Sequence, residues 1–230
     1  MSGTSDLTIV MFTANVLPLP FASKMYEQLL KAAQGQPIIV VSKIPMPIDE
    51  ENVVVESPRS HFNIYRQALI GARAAKTKYI ALAEDDVLYS PEHFKQRSSE
   101  GVFAYNLGAW SVYTWGEPMY SHKGTVRRNL NSLICERELF IKAMEERFAK
   151  YPHDEANKDY WAEPGRYERH LGVTEYPTEV FYTNPPNIIF SHQTELSFAG
   201  LGTRKRVGEF RAYDIPYWGH ISKIRSMYDE

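Results

Sequence analysis

The sequence predicts an α/β fold with a mainly parallel sheet. Apolar segments rich in β-branched residues alternate with segments whose apolar residues recur at helical spacing, and this alternation is typical of βαβ units. The strand-like segments are apolar throughout, as expected for strands that are buried on both faces. Three of them end in polar or acidic residues, and parallel strands bring such ends to one rim of a sheet.

The first part of the chain supplies three strands and two helices. Leu7 to Ala14 is predicted as a strand, after which Pro18 and Pro20 exclude regular structure. Ser23 is then expected to cap a helix that runs to about Ala33. The next elements follow in order: a strand from Pro37 to Ser42, a short edge strand from Asn52 to Val55, and a helix from Ser60 or His61 to Ala75.

The next strand carries the strongest functional signal. Its apolar run from Tyr79 to Ala83 ends in Glu84, Asp85 and Asp86, hereafter the acid triplet. Three adjacent carboxylates repel one another unless a cation compensates, and hard divalent cations prefer carboxylate oxygens. The triplet therefore predicts a metal that holds a diphosphate. The alternative is a solvated turn before a helix beginning at Ser90-Pro91, where Ser is a good N-cap and Pro a good first residue.

The second half of the chain is predicted to be mixed and rich in aromatic residues. Its predicted features are an aromatic strand region from Gly101 to Trp115, a basic loop with Lys123, Arg127 and Arg128, a helix from Glu136 to Ala149, a short helix around Tyr167 to Leu171, and a strand from Asn187 to Phe190 that leads to His192.

Length and composition narrow the class of protein. The 230 residues suit one domain, and no repeat or linker divides them. The formal net charge of −2 excludes a strongly basic binder but leaves room for a local basic patch. The single cysteine excludes an internal disulfide and favours a reducing compartment. Neither a signal-peptide pattern nor a membrane-length apolar run is present, so we expect a soluble protein in the cytoplasm.

In these features the chain resembles the GT-A-fold glycosyltransferases, which use nucleotide sugars. In that family a nucleotide-binding half closes on an acidic metal motif, usually Asp-x-Asp, and a second half binds the acceptor. The acid triplet stands in that place but begins with Glu. The resemblance covers residues 1–100 well and the rest loosely. It implies a single GT-A-like (Rossmann-like) domain with helices on both faces of the sheet, divided into a nucleotide-binding half, 1–100, and an acceptor-binding half, 101–230.

The resemblance also implies roles for individual residues. Asp86 would bind Mn²⁺ or Mg²⁺, and His192 matches the late histidine that often completes such a site, although a lone histidine is commonly structural. Glu84 and Asp85 would lie near the ribose or the sugar of the donor, with a UDP-sugar the first expectation. The residues expected to contact the rest of the donor are Thr13, Ala14, Asn15 and Ser42 by their strand-end positions, and Arg66 on the preceding helix. The alternative for Arg66 is a surface ion pair.

Catalytic groups are expected in the second half. An inverting transferase needs a base within hydrogen-bond reach of the acceptor hydroxyl. Glu168 fits the position that the family uses, and Asp159 and Glu163 are rivals; each could instead be a surface carboxylate. The basic loop could fold over the diphosphate or be merely solvated. A retaining enzyme would need no such base.

The acceptor is left open by the sequence. Small GT-A-like enzymes of bacterial viruses put sugars on hydroxymethylated bases in DNA, and the C-terminal tail has the basic and aromatic composition that suits nucleic acid. The tail residues concerned are Arg204, Lys205, Arg206, Arg211, Tyr213, Tyr217, Trp218, Lys223 and Arg225. For a viral protein the compartment would be the host cytoplasm. A glycan, a lipid-linked sugar and a protein side chain are the other acceptors.

Two other classes of function are compatible with the pattern. A nucleotidyltransferase uses a similar half, but usually has a Gly-rich, basic loop where this chain has Asn15-Val16-Leu17-Pro18. A sugar- or nucleic-acid-binding module without activity would not need the acid triplet and His192.

Overall fold

The computed structural model describes residues 5–124, 128–154, 163–166, 168–193 and 208–229. Several residues singled out in the sequence lie outside these ranges, namely Arg127, Asp159, Tyr167 and Arg204 to Arg206.

The main sheet has seven strands: β1 (Leu7–Thr13), β2 (Ile38–Ser42), β3 (Glu51–Val54), β4 (Tyr79–Glu84), β6 (Phe103–Asn106), β9 (Leu133–Glu136) and β10 (Thr178–Phe181). Their order is β10-β6-β9-β4-β1-β2-β3. Only β9 runs antiparallel to its neighbours; the other pairings are parallel. The predicted α/β class with a mixed, mainly parallel sheet in a single domain is therefore confirmed.

Helices cover both faces of this sheet: α1 (Leu19–Ala33), α2 (His61–Ala74) and α3 (Arg137–Lys150). The alternation of β1 explains the arrangement, because successive side chains of a strand point to opposite faces. Val10 and Phe12 pack with residues of α2 and α3, whereas Ile9 and Met11 pack with residues of α1. This two-sided burial accounts for the uninterrupted apolar strands.

A smaller sheet packs against the other side of α1. It consists of β5 (Val87–Leu88), β7 (Ala109–Tyr113), β8 (Tyr120–His122), β11 (Asn187–Ser191) and β12 (Phe210–Ala212), in the order β12-β8-β7-β11-β5. Phe21 and Met25 of α1 pack with Val112 and Phe190 of this second sheet. A hairpin of β13 (Asp214–Ile215) and β14 (Gly219–His220), the short helix α4 (Glu168–Leu171) and the last helix α5 (Ile221–Asp229) complete the described elements.

The first helix begins earlier than the sequence suggested. The prediction of a start at Ser23 is wrong, because α1 begins at Leu19 and includes Pro20 in its first turn. A proline is tolerated there, since the first amide groups of a helix have no partner within it. By contrast, α2 begins at His61, one of the two predicted starts, and Ser60 caps it by accepting a hydrogen bond from the Asn63 amide at 3.2 Å.

Residues 91–95, where the alternative interpretation placed a helix, form turns. Among the described residues, none of the helices is long and apolar enough to cross a membrane.

Candidate active site

The acid triplet lies at a rim where three parallel strands end together. In the pairing of β1 with its neighbours, Thr13 lies opposite Ser42 and Phe12 lies opposite Glu84. The rim predicted from the strand ends is thus formed, with the triplet beside the end of β1.

Glu84 is held by a buried network. Its Oε2 accepts a hydrogen bond from Asn131 Nδ2 at 2.8 Å, and its backbone amide donates to Tyr89 Oη at 3.1 Å. The same tyrosine hydroxyl donates to the Asn131 carbonyl at 3.0 Å. Burial raises the pKa of Glu84 to about 8, and the charge of Asp86 adds to the rise. The site therefore strongly disfavours accumulated negative charge unless a cation is bound.

Asp85 is tied to the end of β1. It accepts a hydrogen bond from the Thr13 hydroxyl, whose oxygen accepts one from the Asn15 amide at 2.8 Å. Asn15 adopts a left-handed backbone conformation, with φ of 54°, which asparagine tolerates better than most residues. Its Oδ1 accepts hydrogen bonds from the amides of Lys43 at 2.8 Å and Ile44 at 3.1 Å. Thr13 and Asn15 thus connect the triplet to the end of β2.

Two other residues predicted to contact the nucleoside share this rim. Ser42 is fully buried, donates to the Ile44 carbonyl at 2.7 Å and accepts from Asn52 Nδ2 at 2.8 Å. These bonds give its side chain a local structural role. Ala14 lies between Thr13 and Asn15 and is half-buried, so only its backbone and methyl group can line a pocket.

Asp86 and His192 come together as the sequence suggested. Asp86 Oδ2 is 3.5 Å from His192 Nε2, and both side chains are largely buried, with exposed fractions of 14% and 5%. The Phe190 amide donates to the Asp86 carbonyl at 2.8 Å, which holds the end of β11 against the triplet. Residues 106 positions apart in the chain are therefore adjacent at one point of the rim.

The donor atoms at this point fit a small divalent cation that is shared with a substrate. Within the described ranges, no three His, Cys, Asp or Glu side chains form a complete ligand set. Mg²⁺ is commonly held by one or two carboxylates together with substrate phosphates. Asp86 and His192 would supply the protein ligands and a diphosphate the remainder, so the residues present suit the metal implied by the resemblance.

Arg59 is a charged neighbour of the triplet that the sequence analysis missed. Burial lowers the pKa of Arg59, and the charge of Asp85 opposes this effect. Arg59 precedes the N-cap of α2 and follows β3, whose parallel direction brings its end to the same rim. The carboxyl ends of parallel strands meet at one rim, and extending this argument from β1 and β2 to β3 would have placed Arg59 there.

Arg66 is not brought to the triplet. It lines a groove between α2 and α3 together with Phe62, Arg73 and Phe148. The neighbouring Gln67 faces the rim instead, where its Nε2 donates to the Thr13 carbonyl at 3.0 Å. One residue along a helix changes the direction of the side chain by about 100°, which points Arg66 away from the donor position expected for it.

The described candidate bases differ in their surroundings. Glu163 is close enough to Glu84 that its charge adds to the burial-driven rise in the pKa of Glu84, and it pairs with Arg166 at 2.9 Å. Glu168 instead lies in a buried ion pair, with its Oε1 3.2 Å from Arg147 Nη2. The charge of Glu163 therefore reaches the triplet, whereas Glu168 has a structural partner in Arg147.

Of the described tail residues, some are buried and hydrogen-bonded within the fold, and others are exposed at the surface. Trp218 is buried and donates its indole N–H to the Pro186 carbonyl at 2.7 Å. Arg225 donates to the Tyr113 carbonyl at 2.6 Å. The tail residues that are exposed are Arg211, Tyr213, Tyr217 and Lys223. In the basic loop, Lys123 is exposed and Arg128 lies 6.0 Å from the centre of the Tyr105 ring.

Comparison with known proteins identifies similar folds. No protein-family model matches the chain, and no curated protein matches it. Among solved structures, it is similar to a glycosyltransferase involved in glycosylation of the major capsid of PBCV-1, with 11% identity, 80% of this chain and 93% of the other covered, and a TM-score of 0.48.

Two further solved structures are similar at the same level. For 2-C-methyl-D-erythritol 4-phosphate cytidylyltransferase from Thermus thermophilus, identity is 11%, coverage 77% of this chain and 89% of the other, and the TM-score 0.47. For residues 1–349 of TarS from S. aureus, the values are 7%, 81%, 60% and 0.45.

Proposed function

We propose that this chain is a metal-dependent glycosyltransferase that moves a sugar from a nucleotide-diphosphate sugar to a hydroxyl group of an acceptor. The observation that carries the proposal is the acid triplet at the rim of a parallel sheet, with Asp86 Oδ2 3.5 Å from His192 Nε2. Buried like charges of this kind destabilise a fold and are typical of functional sites.

The donor would lie across the ends of β1, β2 and β4. Thr13, Asn15 and Asp85 offer hydrogen-bonding groups on the nucleoside side, and Arg59, whose charge acts on Asp85, offers a positive charge to the diphosphate. Asp86 and His192 would hold Mn²⁺ or Mg²⁺, which when bound neutralises charge on the departing diphosphate. A UDP-sugar is the first donor to test.

Glu163 would act as the general base of an inverting reaction. The acceptor hydroxyl would lose its proton to the Glu163 carboxylate while its oxygen forms the new glycosidic bond. The bond from the sugar to the diphosphate breaks at the same time, and the leaving nucleoside diphosphate takes the electron pair. A base must lie within hydrogen-bond reach of the hydroxyl, and Glu163 is the described candidate whose charge acts on the triplet.

Donor hydrolysis without an acceptor tests the proposal directly. Water can replace the acceptor once the donor is bound, so a panel of UDP-, GDP- and CMP-sugars with Mn²⁺ should reveal one donor whose nucleoside phosphate is released. A bound donor should also raise the free energy of unfolding, by about 2.7 kcal/mol at a hundredfold excess over its dissociation constant.

The same panel separates the other classes of function. Pyrophosphate formed from a nucleoside triphosphate and a sugar phosphate would identify a nucleotidyltransferase instead. No turnover and no thermal shift with any nucleotide would contradict an enzyme and favour a binding module.

A hydroxymethylated base in DNA is one proposed acceptor, and it predicts DNA binding that weakens steeply with salt. Two tail residues that suggested it, Trp218 and Arg225, are used by the fold. Among the described tail residues, this acceptor now depends mainly on Arg211, Lys223 and two exposed tyrosines.

A further inference from the structure

Two aromatic side chains with exposed surface, Trp115 and Tyr213, lie along the edge that the ends of β7, β11 and β12 form beside His192. The Thr114 amide donates to the Ser191 carbonyl at 2.9 Å, so the end of β7 lies directly beside the residue that precedes His192. Trp115 follows and is half-buried, with its ring centre 5.1 Å from that of Tyr113 in an edge-to-face contact. Aromatic surface therefore begins next to the proposed reaction centre.

The second of these side chains is an exposed tyrosine beside a carboxylate. Tyr213, at the end of β12, is 50% exposed, and its hydroxyl donates to Glu117 Oε1 at 3.1 Å. Glu117 is exposed and lies in the loop between β7 and β8. In the sheet, β12 is three strands from β11, which corresponds to about 14 Å at the usual strand spacing. That distance is longer than one sugar ring.

The charges along this edge suit a neutral, hydroxyl-rich ligand better than a polyanion. Glu117 and Asp214 are exposed acids, and Arg211 is an exposed cation whose charge reaches Tyr213. Arg225 donates to the carbonyls of Tyr113 and Thr114 and is only 13% exposed, so its charge is used to hold the edge in place. A nucleic-acid groove would need several cations facing its phosphates.

From these observations we infer that the acceptor is an oligosaccharide chain, which binds along the edge of the second sheet from Trp115 to Tyr213. Aromatic rings would stack against the C–H faces of the sugars, and the Glu117 carboxylate would accept hydrogen bonds from their hydroxyl groups. The inference rests on the proposed function, because it names the acceptor of the same site.

Binding of the full chain to a glycan microarray, without a donor, tests the inference. The protein should retain glycans longer than a disaccharide, and Tyr213→Ala should lower their retention roughly tenfold through the loss of one ring. Tyr213→Phe keeps the ring and should lose less. Tyr217→Ala is the matched control, because Tyr217 is 59% exposed but adjoins Trp218, which bonds Pro186 at the opposite end of β11 from His192.

The outcomes that overturn the inference are distinct from failure of the proposed function. The inference would be contradicted if the protein retained no glycan or only monosaccharides, or if Tyr213→Ala retained glycans as well as the unmodified chain. Preferential retention of a DNA duplex over glycans would contradict it as well. Absence of donor hydrolysis in the unmodified chain, with glycans still retained, would refute the transferase but not the glycan surface.

Discussion

The negative charge of buried carboxylates is compensated differently at two sites in this protein. In the acid triplet, burial raises the pKa of Glu84 to about 8 and the neighbouring Asp86 adds to the rise. Glu168 is similarly buried, but Arg147 lies 3.2 Å away, with exposed side-chain fractions of 6% and 2%. A charge compensated within the fold is typical of structure, whereas carboxylates crowded together are typical of a site that takes its compensating charge from a ligand.

Replacement of Asp86 should have the largest effect on function. Asp86→Ala should lower donor turnover about a thousandfold, because metal-assisted neutralisation of a leaving group contributes several kcal/mol. The free energy of unfolding should be unchanged or higher, since one of three adjacent like charges is removed. Release of nucleoside diphosphate from UDP-sugars and denaturant titration measure the two effects. Equal donor affinity of the unmodified chain with and without Mn²⁺, measured by calorimetry, would contradict the metal site.

Replacement of Glu168 should have the opposite consequence. Glu168→Ala leaves Arg147 charged and buried, which should lower the free energy of unfolding by about 3–5 kcal/mol. The double replacement Arg147→Met with Glu168→Leu should restore most of it, because apolar residues of similar volume can replace a buried pair. Urea denaturation of the three variants measures this, and a stable Glu168→Ala protein would show that the pair is not structural.

At His93 a buried ionisable side chain avoids the cost of a buried charge by staying neutral. It is fully buried, its Nδ1 is 3.1 Å from Asn106 Nδ2 and 3.4 Å from Asn187 Nδ2, and burial lowers its pKa to about 3. The unfolded chain therefore takes up the proton first as the pH falls. Stability from the neutral ring is complete above about pH 6.5 and is lost towards pH 3, with about 3 kcal/mol gone at pH 4.5.

Unfolding by urea at pH 7 and pH 4.5 checks this prediction when His93→Phe is compared with the unmodified chain. The difference in stability between the two proteins should shift in favour of the variant at the lower pH. An unchanged difference would mean that the folded protein accommodates a charged His93.

Glu163 and Glu168 provide a matched pair for the catalytic base. Glu163→Gln should lower transfer to an acceptor about a hundredfold, within the range of general base catalysis, and should leave the free energy of unfolding almost unchanged because its Arg166 partner is 31% exposed. Glu168→Gln should show the reverse, with lost stability and transfer preserved in the folded fraction. Loss of transfer in Glu168→Gln with an unaltered free energy of unfolding would identify Glu168 as the base.

The parts of the site that could be predicted are those encoded by strand ends. The acid triplet and the residues from Thr13 to Asn15 follow apolar runs directly, and His192 follows a short one. The direction of Arg66 could not be predicted, because it depends on which face of α2 packs on β1. Nor does any local pattern show that Trp218 and Arg225 are buried: their partners, Pro186 just before β11 and Tyr113 in β7, take their places only when these two strands pair in the folded chain.

Arg59 is a cation near the triplet that, among the described residues, forms no tight pair like that of Arg147. Its charge acts on Asp85, where burial raises the pKa and the Thr13 hydrogen bond and Arg59 lower it. Arg59→Ala should raise the dissociation constant of the donor roughly tenfold, as expected for one partly exposed charge near a diphosphate. Arg59→Lys should recover part of this loss.

Arg73→Ala is the control for Arg59, since Arg73 is exposed on α2 and pairs with Glu145 at 2.7 Å in the groove away from the triplet. Calorimetric titration with the donor identified in the panel, at two salt concentrations, should show a smaller salt dependence for Arg59→Ala alone. Equal losses in both variants would indicate a general effect of net charge. If the donor affinity of Arg59→Ala were unchanged, Arg59 would not contact the diphosphate. The triplet and its cation alone would then account for donor binding.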